Sequence, residues 1–154
     1  MINYNLKHFI LFFALILFQV FIIDNIDLFS FSPPMIYISF IIIFKFDQNQ
    51  PLFILLCFML GLSIDFLSQS PGANTISSLT LGFIRPLIIN YSFKINADLP
   101  NAAINDPNIK HRIIYTSSII FIHHLLYFSI VYFKFNSFYL ILKYTALSFV
   151  FSFI

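Results

Sequence analysis

The chain has 154 residues, 60% of them hydrophobic and only 9% charged, with a mean hydropathy of +0.92. That much apolar surface cannot be buried by a soluble domain of this length, so the composition implies an integral membrane protein. The net charge of +2 is too small and too scattered for a nucleic-acid partner, and the lone Cys57 excludes an intramolecular disulfide and a thiolate metal site.

Apolar runs, each near the roughly 20 residues that cross a hydrocarbon core, alternate with short polar segments and predict an all-α bundle of about six transmembrane helices in a single domain. The expected spans are about 6–23, 28–46, 52–67, 73–91, 113–133 and 137–154. In the first, Lys7 precedes an apolar run as in a signal peptide, but no A-x-A-like cleavage site follows, so the run is expected to be retained. The second begins at Pro33-Pro34, which a helix tolerates only in its first turn. The third ends in Gly61-Leu-Ser-Ile-Asp65 and leads into a turn in which Pro71 sets φ and Gly72 is free to take a positive φ.

The fourth span is the least hydrophobic, carrying Asn74, Thr75, Ser77, Ser78, Thr80 and Arg85, the last followed by Pro86. A polar loop over residues 94–112 contains Pro100 and Pro107 and is expected to be irregular and solvent-facing. The fifth span carries His123-His124 and the sixth Lys143. Six crossings put Lys7, Lys45, Lys94, Lys110 and Arg112 on one side and Asp24, Asp27 and only Lys134 on the other. Because Lys and Arg accumulate in cytoplasmic loops, both termini are expected in the cytoplasm.

Ionisable residues inside spans are expensive and mark sites of structure or function. Asp65 either reaches water at the outer end of its span or accepts hydrogen bonds from the free N–H groups that open the fourth helix, near Ala73 to Thr75. Arg85 lies past the midplane, where it either snorkels toward the cytoplasm or binds an acidic lipid or ligand. Pro86 frees a carbonyl one turn earlier, to be satisfied by Arg85 or a neighbouring helix. His123 and His124 fall at a depth comparable to Arg85. Adjacent positions on a helix point about 100° apart, so they suit hydrogen bonds between helices rather than one metal ion. Lys143 either snorkels outward or pairs with Asp65.

No Gly-rich phosphate loop, H-E-x-x-H, paired carboxylates or nucleophile elbow is present, so no enzyme, cofactor or metal is expected. With 3 Gly in the chain and no G-x-x-x-G seam, association with a partner's transmembrane helix is expected to rest more on Phe and Ile packing and polar contacts.

The stretch GLSIDFLSQSPGANTISSLTLGFIRP, residues 61–86, resembles the signature region of the rod shape-determining MreD family. There a glycine precedes an aspartate by four residues at the end of a span, and a polar turn with glycine follows. FIRP at 83–86 and IHHL at 122–125 look like forms seen in Bacteroidetes members. The resemblance extends over the whole chain in length and span order. It implies a non-enzymatic protein of the bacterial inner membrane that binds an MreC-type bitopic scaffold in the cell-elongation machinery, and through it an MreB-type filament and the peptidoglycan polymerase–transpeptidase pair. The family is also similar in architecture to the substrate-binding membrane subunits of energy-coupling-factor vitamin transporters, which makes a solute-binding subunit the alternative.

Overall fold

The computed structural model describes residues 2–25, with side chains from residue 9, and residues 34–44, 49–93, 108–133 and 137–153. Among the described residues six α-helices follow one another: α1 (Ile2–Phe18), continued by a π-helical turn (Gln19–Ile23), then α2 (Ile38–Ile43), α3 (Gln50–Leu67), α4 (Ala73–Phe93), α5 (Ile109–Val131) and α6 (Phe138–Phe153). Among the described residues there is no strand. Local chemistry marks several ends. Pro51 sits in the first turn of α3, where its missing N–H costs nothing. Asn108 caps α5 by accepting from the Lys110 N–H at 3.1 Å.

Five of the expected apolar segments coincide with helices to within a few residues; the second does not. Within residues 34–44 the helix is only six residues long, about 9 Å of rise; the expected residues 28–33 and 45–46 lie outside the described residues. Lys45, Lys94, Lys134, Asp27, the side chain of Lys7 and most of the polar loop also lie outside them, whereas Lys110 and Arg112 are exposed.

The first segment departs from a plain α-helix at its end. The Asp24 N–H bonds the Gln19 carbonyl at 2.8 Å, five residues back, which defines the wider π turn. Gln19 is thereby buried rather than left on the outside, and its amide holds the start of the next segment: Nε2 donates to the Pro34 carbonyl at 3.2 Å and Oε1 accepts from the Ile36 N–H at 2.8 Å.

The centre of the bundle is the antiparallel pair α3–α4, with α5 on the other side of α4 and α6 on α5; α2 packs on α1, α4 and α5. The pair meets along a close seam, because two of the three glycines fall on this contact. A Cβ on Gly61 would lie 2.6 Å from the Asn74 carbonyl oxygen and from the Thr75 Cα, and one on Gly82 would lie 3.2 Å from the Cys57 Cβ. Each glycine faces the partner helix, so the seam is divided between two chain segments and no G-x-x-x-G spacing announces it.

Polarity runs inward. Asp65, Arg85, His123 and His124 are all buried, while Phe66, Phe83, Leu87 and Phe133 are among the most exposed side chains. Two helices, α3 and α5, are long and apolar enough to cross a membrane; Phe9–Ile23 and α6 are shorter apolar helices.

Candidate functional site

The residue before α4 is Gly72, at φ +86°, a left-handed conformation that glycine adopts without strain. A glycine there brings no side chain to cap the helix. Asp65, at the end of α3, supplies the missing acceptor: Oδ1 takes the Asn74 N–H at 3.2 Å and Oδ2 the Thr75 N–H at 2.7 Å. Three side chains complete the shell, the Ser70 and Thr75 hydroxyls and the Asn74 amide at 2.9 Å. An ionised carboxylate only accepts, and five donors converge on this one, all from residues 70–75. The negative charge also sits at the positive end of the α4 dipole.

The capping role expected of Asp65 is therefore realised, and water exposure is not: the residue is 6% exposed. Gly61, one turn earlier on the same face of α3, lets the first turn of α4 come close enough for these bonds. Pro71 is exposed in the turn, and Gln69 joins Gly72 in the left-handed region at φ +53°. Of the two alternatives for Lys143, the pair with Asp65 is not formed. Lys143 is exposed on α6, and the carboxylate is already satisfied locally.

A chain of side chains leads from Asp65 into the bundle, and its direction follows from donor and acceptor chemistry. The Asn74 amide nitrogen faces Asp65, so its Oδ1 receives the Tyr37 hydroxyl proton at 2.8 Å. The Tyr37 oxygen then accepts from His123 Nε2 at 2.9 Å, which assigns the Nε2–H tautomer. His123 Nδ1 is buried without a partner. His124 faces elsewhere: its Nδ1–H donates to the Ile120 carbonyl at 2.7 Å, and its Nε2 accepts from Ser152 on α6 at 3.2 Å. Both imidazoles link helices, as their adjacent positions imply, and among the described residues no group of three His, Cys, Asp or Glu could hold a metal ion.

Arg85 corrects two expectations. It does not snorkel: it is 1% exposed, with Nε donating to the Tyr115 hydroxyl at 2.7 Å and Nη2 to the carbonyls of Ile42, at 3.4 Å, and Phe44. The Phe53 ring lies 4.5 Å from its guanidinium carbon, and Nη1 has no partner. The carbonyls at the end of α2 hold the side chain inside by accepting from its guanidinium. Nor do Arg85 and the histidines share a level. Arg85 meets Tyr115 and His123 approaches Ser78, seven residues earlier on α4, a separation of about 10 Å along the helix. The carbonyl freed by Pro86 belongs to Gly82, and the neighbouring helix satisfies it, with Gln50 Nε2 of α3 donating at 3.5 Å.

Where the π turn, the start of α2 and the α3–α4 turn meet, a cavity of about 190 Å³ is lined by Gln19, Asp24, Tyr37, Ser68, Asn74 and Tyr127, with Met35, Ile64 and Ser70 completing its wall. Sequence reasoning misses Gln19, Tyr37, Tyr115 and Tyr127 because each is one polar group in an apolar run. The only signal is that Gln19 interrupts an otherwise unbroken apolar run, ten residues before it, Phe9 to Phe18, and four after it, Val20 to Ile23. Comparison of the chain with protein-family models, with curated proteins and with solved structures finds no match.

Proposed function

We propose that this chain is a non-enzymatic, multi-pass protein of the bacterial inner membrane that docks an MreC-type scaffold in the cell-elongation machinery, and through it an MreB-type filament and the polymerase–transpeptidase pair. Asp65, Arg85, His123 and His124 face inward and many large apolar side chains face outward, the distribution a hydrocarbon solvent favours. Six crossings with both termini in the cytoplasm agree with the placement of its basic residues along the sequence.

The observation that carries the reading is the clamp built by Gly61, Asp65 and Gly72. These are the residues on which the resemblance to the MreD family rests, and together they lock α3 and α4 into a rigid hairpin. Arg85, His123 and His124 likewise tie helices to one another and do not converge on a reacting centre. A bundle of this kind meets partners through helix faces and short turns, for which a partner's transmembrane helix is the natural ligand.

The test is affinity purification of the tagged protein from its native membrane in mild detergent, with mass spectrometry of copurifying proteins and small molecules. Recovery of a bitopic scaffold with wall synthases is the expected result. The cavity beside Gln19 and Asp24 favours a second reading, a solute-binding subunit of a vitamin-type transporter, because several polar groups converge there. Recovery of an ATPase-linked module or a stoichiometric vitamin overturns the first reading in favour of the second.

A further inference from the structure

The same cavity has a chemical bias that neither reading assigns. Each polar side chain on its wall can be followed to the partner that takes its hydrogens. Both Gln19 Nε2 hydrogens are used, on Asp24 Oδ1 at 2.8 Å and the Pro34 carbonyl at 3.2 Å. The Ser68 hydroxyl donates to Asp24 Oδ2 at 2.7 Å, and that of Ser70 to Asp65. Tyr37 donates to Asn74 Oδ1 at 2.8 Å, and both Asn74 amide hydrogens go to Asp65 Oδ1 at 2.9 Å and Ser70 Oγ at 3.2 Å. Of the side-chain donors on the wall among the described residues, the Tyr127 hydroxyl is left.

Acceptor capacity remains. Each Asp24 oxygen receives one of these protein donors and has room for another, and the hydroxyl oxygens of Ser68 and Ser70 keep lone pairs. Among the described residues the wall carries one carboxylate and no Lys, Arg or His, and the Asp65 carboxyl stands immediately behind Asn74 and Ser70. An occupant must therefore bring donors and positive charge. A single carboxylate among neutral groups is a poor cage for a divalent ion. The volume is many times the roughly 10–15 Å³ that one water needs, enough for a small group of several heavy atoms. Asp24 is exposed at the rim of the cavity and Ser68 half-buried, and each Asp24 oxygen is oriented by one bond, Oδ1 from the buried Gln19 and Oδ2 from Ser68.

We propose that this cavity binds a primary ammonium group, carried either by a phosphatidylethanolamine-type lipid head group or by a free small amine. Asp24 Oδ1 and Oδ2 and the Ser68 oxygen are its acceptors. Three N–H donors radiating from one positive centre match what the wall lacks, and a quaternary ammonium of equal charge does not. The inference holds under either reading of the function, because it rests on the cavity alone.

The experiment uses the full chain purified into nanodiscs of equal phosphatidylethanolamine and phosphatidylcholine, with retained lipids counted by native mass spectrometry. In parallel, thermal unfolding in detergent is followed with ethanolamine or tetramethylammonium added. Preferential retention of phosphatidylethanolamine, about tenfold or more as one charge-assisted hydrogen bond allows, and its loss in Asp24→Asn, supports the lipid source. Stabilisation by ethanolamine and not by tetramethylammonium, without a lipid preference, supports a free amine. Equal retention of both lipids together with no response to ethanolamine overturns the proposal, as does a preference that survives in Asp24→Asn. If Asp24→Asn does not fold, the tetramethylammonium control decides, and equal stabilisation by both cations overturns the hydrogen-bonding basis.

Discussion

Gly61→Ala adds one methyl group where backbone already stands. The new Cβ would lie 2.6 Å from the Asn74 oxygen, 2.6 Å from the Thr75 Cα and 2.8 Å from the Asn74 carbonyl carbon. None of these atoms can turn away as a flexible side chain would, so α3 and α4 must part by about 0.8 Å to restore an ordinary 3.4 Å contact. Overpacking of this kind costs about 1–3 kcal/mol, and the separation also stretches the 2.7 Å bond between the Thr75 N–H and Asp65. Against this stands the helix propensity of alanine, at most about 1 kcal/mol better than glycine, so the clash wins. The other two glycines supply the comparison. Gly82→Ala meets the Cys57 side chain at 3.2 Å and the Ile54 Cα at 3.4 Å, a tight fit that small adjustments relieve. Gly72→Ala has open space but must hold φ +86°, a strain of about 1–2 kcal/mol. Unfolding of the detergent-purified variants by heat or by titration with a denaturing detergent should rank Gly61→Ala as the most damaging of the three and Gly82→Ala as the least. A Gly61→Ala protein as stable as the parent sinks the close-approach argument.

Asp65→Asn keeps the shape but removes the charge and half of the acceptor capacity; the same unfolding assay should register a loss of about 1–3 kcal/mol, and an unchanged midpoint would show that the turn holds without the cap. Tyr37→Phe strands Asn74 Oδ1 and leaves His123 Nε2 only the Ser78 hydroxyl at 3.5 Å, so it should cost about 1–3 kcal/mol, with Tyr139→Phe, at an exposed hydroxyl, as the neutral control. Arg85→Lys retains a cation but not the fork that reaches Tyr115 and the α2 carbonyls together, so it should destabilise by about 2 kcal/mol or more; stability equal to the parent would show that the charge suffices without the geometry. Lys143→Gln should stay within about 0.5 kcal/mol, and the exchange Asp65→Lys with Lys143→Asp should be no better than Asp65→Lys alone.

The arrangement around Asp65 was the most legible part of the molecule, for a local reason. All five donors to its carboxylate come from residues 70–75, and a glycine at 72 both opens the turn and leaves α4 without a cap of its own, so short-range pattern and chain stiffness specify the contact. The positions of five helices were legible too, because apolar runs of sufficient length bounded by polar residues admit no other regular structure.

What joins distant segments was not legible. The reach of Tyr37 to both Asn74 and His123, of Arg85 to the carbonyls of Ile42 and Phe44, and of Gln50 to the carbonyl freed by Pro86 spans between 32 and 86 residues of sequence. A lone tyrosine or glutamine in an apolar run carries no mark of its partner. The glycine seam is divided between two helices, and the π turn that buries Gln19 differs from an α turn only by which carbonyl the Asp24 N–H selects. Composition and periodicity thus determined that the chain is helical and that its surface is apolar, and the local pattern made Asp65 a candidate to cap α4. Only the tertiary structure decided which polar groups meet, because in an apolar environment a buried donor or acceptor must find a partner wherever packing brings one, whatever the distance along the chain.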